Sequence, residues 1–251
     1  MPVETGLHRG HANRPPLTLV VALISLIFTV GCSTGSSSSA GKDSITVVQA
    51  NPVSGITSFV CCQPYNFVVV REIQQAPDVY LYDPATKAYS LQPLLATSWK
   101  QTDPTTWEFQ VRPGVKFSNG EPLTADTFVQ SLAIYRDNKT NTANNFGTIQ
   151  IKAVGDMTFD VITTKENDAT LPSIMTYLWV IPPKYFAANG PEAWATHPIG
   201  TGPYMLDKWV RGVEVDLKAN PNYWGSKPSI HHVVIRSVSN AGTQVAQLTP
   251  T

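Results

Sequence analysis

The three cysteines and five histidines are the first places to look for chemistry in this chain, and their spacing confines what each can do. Cys61 and Cys62 are adjacent. Neighbouring Cα atoms stand about 3.8 Å apart across a trans peptide, whereas disulfides favour about 4.4–6.8 Å. The pair is therefore a strained vicinal disulfide of an oxidising compartment, two packed free thiols, or, as a third reading, a redox pair. No second cysteine pair exists to complete a four-ligand zinc site. His8 and His11 lie near the start, His197 stands alone, and His231 and His232 are adjacent. Neighbours in a strand point to opposite faces, so the last two cannot share one metal ion. Gly200-Thr201-Gly202 is no phosphate loop, because no Lys-Ser/Thr follows and Pro203 removes a backbone donor. A nucleophile elbow, a His-Glu-x-x-His helix and a dinucleotide glycine triad are all missing. Catalysis is not expected, and no cofactor is implied.

Composition narrows the field further. Lys+Arg and Asp+Glu are both 18, so the net charge is zero and there is no electrostatic footprint for nucleic acid. The 20 prolines argue against an all-helical protein. Leu17–Val30 is an apolar run of roughly 14 residues, the size of a signal-peptide core and too short to span a bilayer. It ends in Thr29-Val30-Gly31-Cys32, which resembles a bacterial lipobox except that Thr29 stands where Leu is preferred. On that reading residues 1–31 are a signal peptide and Cys32 carries lipid. The competing reading is an ordinary secretory signal with an incidental cysteine. Residues 33–42, STGSSSSAGK, are too polar to order themselves and read as a flexible tether. The folded part then occupies 44–251.

The densest structural instructions lie between Ser98 and Ser131. Trp107–Val111 alternates large apolar and polar residues, as a half-buried strand does. Arg112-Pro113-Gly114 turns the chain, Val115–Phe117 is expected to form a short strand, and Asn119-Gly120 is a tight-turn signal. Thr124 is a good N-cap for a helix with Phe128, Leu132 and Tyr135 on one face. Ser44–Ala50 is almost continuously apolar at its centre, which predicts a strand buried on both faces. Hairpins are expected at 78–91 and 149–164, helices at 67–74, 171–178 and 241–248, and strands at 204–209, 214–218 and 230–236.

The run W-E-F-Q-V-R-P-G-V-K-F-S-N-G-E-P-L-T-A-D (107–126) resembles the family 5 solute-binding proteins, the peptide, nickel and oligosaccharide receptors of bacterial ABC importers. Pro93–Trp99, Pro198–Tyr204 and the N-P-N-Y-W turn at 220–224 resemble the same family. The likeness covers nearly all of 44–248 but only the opening part of a family member, so the chain looks truncated. It implies a mixed α/β fold: a type II periplasmic-binding-protein lobe with an inserted hairpin-rich subdomain, the second lobe missing and one sheet edge unpaired.

The function so implied is a lipid-anchored component on the extracytoplasmic face, capturing oligopeptides or another small solute and delivering them to the permease subunits. The alternative is a truncated remnant or an interaction lipoprotein that binds no solute. Because the family uses both walls of its cleft, the chain alone is expected to bind weakly or not at all. The loop at 53–66 lies near the cleft mouth in the family, which singles out Ser58, Phe59 and Tyr65. Tyr177 and Trp179 are cleft candidates too, with ordinary core aromatics as the other reading.

Overall fold

The computed structural model describes residues 43–60 and 63–248. Cys32, Cys61 and Cys62, with the signal and tether segments, lie outside the described residues. No helix among those described is long and apolar enough to cross a membrane.

Among the described residues, ten strands form two four-stranded sheets and one separate ribbon. β1 (Ser44–Gln49) opens the first sheet, and the chain leaves it at once through a loop and α1 (Pro64–Ile73). The ribbon follows, β2 (Asp78–Asp83) paired antiparallel with β3 (Ala88–Pro93). Its turn carries an Asp83 carboxylate that accepts from the Ala85 N–H at 2.8 Å. β4 (Ala96–Asp103), β5 (Thr106–Val111), β6 (Gln150–Gly155) and β7 (Thr158–Ile162) build the second sheet in the order β4-β5-β7-β6, all antiparallel. α2 (Ala125–Asp137) packs across it. After α3 (Leu171–Met175) and α4 (Pro183–Thr196), the chain returns to the first sheet as β8 (Tyr204–Val210), β9 (Glu214–Ala219) and β10 (His232–Ser237). α5 (Ala241–Leu248) is the last element. The first sheet runs β1-β10-β9-β8, with β1 and β10 parallel and the other pairs antiparallel.

The inserted subdomain has the denser core, and it forms because its sequence signals are local. Phe109 faces Phe159 across β5 and β7 with ring centroids 5.1 Å apart, and Phe128 from α2 stacks on Phe159 at 4.5 Å. All three are fully buried. Each contributes roughly 1.5–3 kcal/mol through removal from water. The Thr124 N–H donates to Thr127 Oγ1 at 3.1 Å, holding the start of α2.

Three expectations need correction, and one helix was not foreseen. β1 is not buried on both faces: Ile45 is 44% and Val47 38% exposed. The strand lies at a sheet edge with β10 as its one partner among the described residues, so a continuous apolar run did not mean a central position. Val115–Phe117 forms no strand; a single bridge pairs Lys116 with Pro122. The strand expected from Ile230 begins at His232, and the preceding His231 instead donates its N–H to the Asp43 carbonyl at 2.8 Å. α4 was not foreseen from the sequence, and Gly190-Pro191 falls inside it. Gly190 does break it, with φ 76°, and two short helices meet there around the fully buried Trp194.

Pro198–Tyr204 locks the two parts together. A Cβ on Gly200 would stand 1.8 Å from the Ile73 carbonyl oxygen, and one on Gly202 would stand 2.2 Å from that of Glu72. Glycine is required by this approach to the end of α1. The Gly202 N–H then donates to Ile73 O at 2.9 Å, satisfying a carbonyl that the helix end leaves free. Asn220 joins the same knot, its Nδ2 donating to Gly202 O at 2.9 Å.

Candidate functional site

The segment after α1 turns inward and carries the polar anchors of the site. Gln74 accepts from the Ser58 N–H at 3.3 Å and donates to Ile56 O at 3.4 Å, which ties the loop after β1 to the helix end. Gln75 reaches the other way. Its Oε1 accepts from Trp224 Nε1 at 2.9 Å, its Nε2 donates to Tyr223 OH at 3.2 Å, and its carbonyl accepts from the Val180 N–H at 2.9 Å. Tyr80 on β2 is held to Ser173 on α3 by a 2.8 Å hydroxyl contact.

These ties frame a cavity of 530 Å³ lined by the end of α1, the start of β2, α3, the Tyr177–Trp179 stretch and Tyr223. Small-molecule sites span roughly 300–1,000 Å³. One wall is aromatic: Tyr177 meets Trp179 edge-on at 5.9 Å, and Trp179 packs on Phe67 at 5.7 Å. Such rings combine large apolar area with a polarised face.

The cavity's charged groups are unusual. Asp78 is 1% exposed, and among the described residues no donor meets either carboxyl oxygen in hydrogen-bonding geometry. Burial pushes its pKa up to about 8, opposed weakly by its own backbone N–H. Burial also raises Glu72. Arg71 lays its guanidinium over the Phe67 ring, 5.3 Å from the centroid. Near neutral pH Asp78 is chiefly an uncharged acid.

Of the residues singled out from the sequence, Tyr177 and Trp179 line this cavity, and Ser58, Phe59 and Tyr65 do not. Ser58 is buried where the loop meets α2. Tyr135 OH stands 2.5 Å from Ser58 Oγ and 2.6 Å from the Trp179 carbonyl. The carbonyl can only accept, so it takes the phenolic proton and the serine supplies its own. Phe59 packs into the subdomain core against Tyr135 and Phe186 at 6.0 and 5.9 Å. Tyr65 sits in the first turn of α1, its carbonyl accepting from Gln49 Nε2 at 3.3 Å. Asp78, Gln75 and Tyr223 were not foreseen as site residues. The one available signal was an acid placed directly after Ala76-Pro77 at the root of a strand. No group of three His, Cys, Asp or Glu side chains among the described residues could hold a metal ion.

Comparison with known proteins places this architecture. A sequence model of bacterial extracellular solute-binding proteins, family 5 (Middle), matches residues 90–250. The chain is 29% identical over 166 residues to Protein XP55 of Streptomyces lividans, covering 63% of this chain and 30% of that one. It is also 29% identical over 176 residues to the nickel-binding periplasmic protein of Escherichia coli, covering 65% and 33%. Among solved structures, NikZ of Campylobacter jejuni in complex with Ni(L-His) superposes with TM-score 0.72 at 21% identity, over 82% of this chain and 41% of that one. The oligopeptide-binding protein AppA of Bacillus subtilis, in complex with a nonapeptide, superposes with TM-score 0.70 at 19% identity, over 82% and 42%. The chain thus spans about a third of the length of these curated relatives and about two fifths of these solved chains. The nickel-binding periplasmic protein and AppA are binding proteins by name, and the mixed α/β fold is that of periplasmic binding proteins. This chain belongs to the family 5 bacterial extracellular solute-binding proteins.

Proposed function

We propose that this chain captures oligopeptides outside the membrane for an ABC importer, tethered by lipid on Cys32, and passes them to the permease subunits. The observation that carries the reading is the cavity beside Tyr177 and Trp179, set in the fold of a family whose solved members include a peptide complex. Its mixture of aromatic wall and few polar groups suits a peptide side chain or terminus. The tether sequence before Asp43 would let the lobe sample solute near the membrane surface.

Titration calorimetry of the purified chain against short peptides tests the binding step. Binding by this chain alone is expected to be weak, since the family cleft uses two walls, and its affinity is expected to fall about tenfold or more on Tyr177→Ala. Tyr177 is 38% exposed, so the variant should keep its fold. Heats that do not saturate, or that ignore the substitution, would remove the cavity from solute capture. Metabolic labelling with a fatty-acid analogue tests the anchor: incorporation that survives Cys32→Ser would contradict lipidation at that residue.

A further inference from the structure

Donor chemistry alone orients the Gln75 side-chain amide. An indole N–H can only donate, so the amide atom that Trp224 Nε1 meets at 2.9 Å is the oxygen, Oε1. The nitrogen, Nε2, then stands 3.2 Å from the Tyr223 hydroxyl, and it too can only donate. The phenolic oxygen therefore accepts, and its own proton is left uncommitted. Among the described residues the Tyr223 hydroxyl has no further hydrogen-bond partner. Gln75 and Tyr223 both line the cavity, so the bond between the ends of their side chains lies in its wall. Gln75 is buried and Tyr223 half-buried.

The turn that carries Tyr223 is tied on every side. Asn220 Oδ1 accepts from the Asn222 N–H at 3.0 Å, and the Asn220 carbonyl accepts from the Tyr223 N–H at 3.2 Å. Such self-bonding is what an asparagine supplies at a turn. Asn220 is itself buried and bonded to Gly202 O. Next in the chain, Trp224 is held between Gln75 and the Arg112 guanidinium. A donor already fixed in this way loses little freedom when it meets an acceptor.

We infer that Tyr223 is a specificity-determining residue of the cavity, donating its phenolic proton to an amide carbonyl of the solute, and that Gln75 is the positioning residue that keeps this proton available. The inference rests on the reading of this cavity as the solute site. Gln75 acts through Tyr223: by donating to the phenolic oxygen it leaves the proton for the solute, while its Oε1 holds the neighbouring indole.

The probe is N-acetyl-Ala-Phe-Ala-amide, which has carbonyls and no charged group, titrated to millimolar concentration into the full chain with the affinity read by NMR. Tyr223→Phe removes the donor and keeps the ring, and the affinity is expected to fall about three- to tenfold. Gln75→Glu keeps an acceptor for the Trp224 indole but turns the other end into an oxygen that only accepts when ionised. The phenol then gives its proton to Glu, and the same loss is expected although Tyr223 is intact. The double variant should bind no more weakly than either single one. Slow hydrogen exchange of the Trp224 indole N–H in both single variants should show the wall unchanged. Affinity unaffected by Tyr223→Phe or by Gln75→Glu, or losses that add in the double variant, would overturn the inference. So would a loss accompanied by fast indole exchange, which would assign the effect to a collapsed wall. If the peptide binds and responds to Tyr177→Ala but ignores Tyr223→Phe, the solute site stands and the role of Tyr223 falls. If the peptide does not bind, both fall.

Discussion

Trp224 Nε1 donates to Gln75 Oε1 at 2.9 Å, across a sequence separation of 149 residues. The bond joins the N-P-N-Y-W turn to the segment that leaves α1, and Arg112 covers the Trp224 ring from 4.8 Å on its way out of the inserted subdomain. One indole thus links both parts of the lobe at the edge of the cavity. Trp224→Phe removes the donor and leaves Gln75 Oε1 in a partly buried place without a partner. The expected cost is about 1–3 kcal/mol, seen as a lower urea midpoint with an unchanged slope. An unchanged midpoint would mean that water replaces the indole at no loss.

Asp78 sets a pH dependence whose sign follows from its burial. Its pKa is about 8 in the fold, against a value near 3.8 for the free side chain. The folded state therefore holds a proton that the unfolded chain has lost through that window. Stability from this group is fully present below about pH 4 and declines as pH rises to about 8, by an amount on the order of several kcal/mol. Glu72 is raised by burial too and adds to the same decline. Asp83, Glu108 and Glu214 are lowered by hydrogen bonds and oppose it only at acid pH. Thermal melting from pH 5 to 9 should show the midpoint falling in the wild type and falling less in Asp78→Asn. Parallel curves would place the proton elsewhere.

Gly200→Ala is expected to prevent folding or cost more than about 3 kcal/mol. The added methyl would overlap the Ile73 carbonyl, which is backbone and cannot swing away. Gly114→Ala meets no atom within 4 Å but sits at φ +77°, so it should cost only about 1–2 kcal/mol. Comparing the two melting temperatures separates close approach from dihedral strain. Equal losses would contradict the packing assigned to Gly200.

Phe159→Ala opens a void between Phe109 and Phe128 and is expected to destabilise by about 3–5 kcal/mol. Chemical denaturation measures it directly. A loss below about 1 kcal/mol would show that the subdomain core collapses around the gap.

The parts of this lobe that were legible beforehand are those whose signals are local. The W-E-F-Q-V strand, the Thr124 cap and the Phe128–Leu132–Tyr135 face are each specified within a few residues, and β5 and α2 lie where those signals put them. The position of β1 was not legible, because Ile45 and Val47 look alike in a central strand and in an edge strand with a bare face. α4 was hidden by Gly190-Pro191, which breaks the helix without ending the helical segment. The cavity was half legible. Tyr177 and Trp179 stand out as large aromatics, but Asp78 looked like the first residue of a strand. Its lack of a partner emerges only when α1, β2 and the Tyr223 turn, distant in sequence, close around it.

The central claim is that solute is held beside Tyr177 and Trp179, and amide hydrogen exchange of the full chain with and without a saturating peptide tests it most directly. Added protection is expected to be confined to the backbone around residues 76–80 and 173–179, and to be lost in Tyr177→Ala. Protection at the Ser58–Asn66 segment alone, or none on adding peptide, would contradict it.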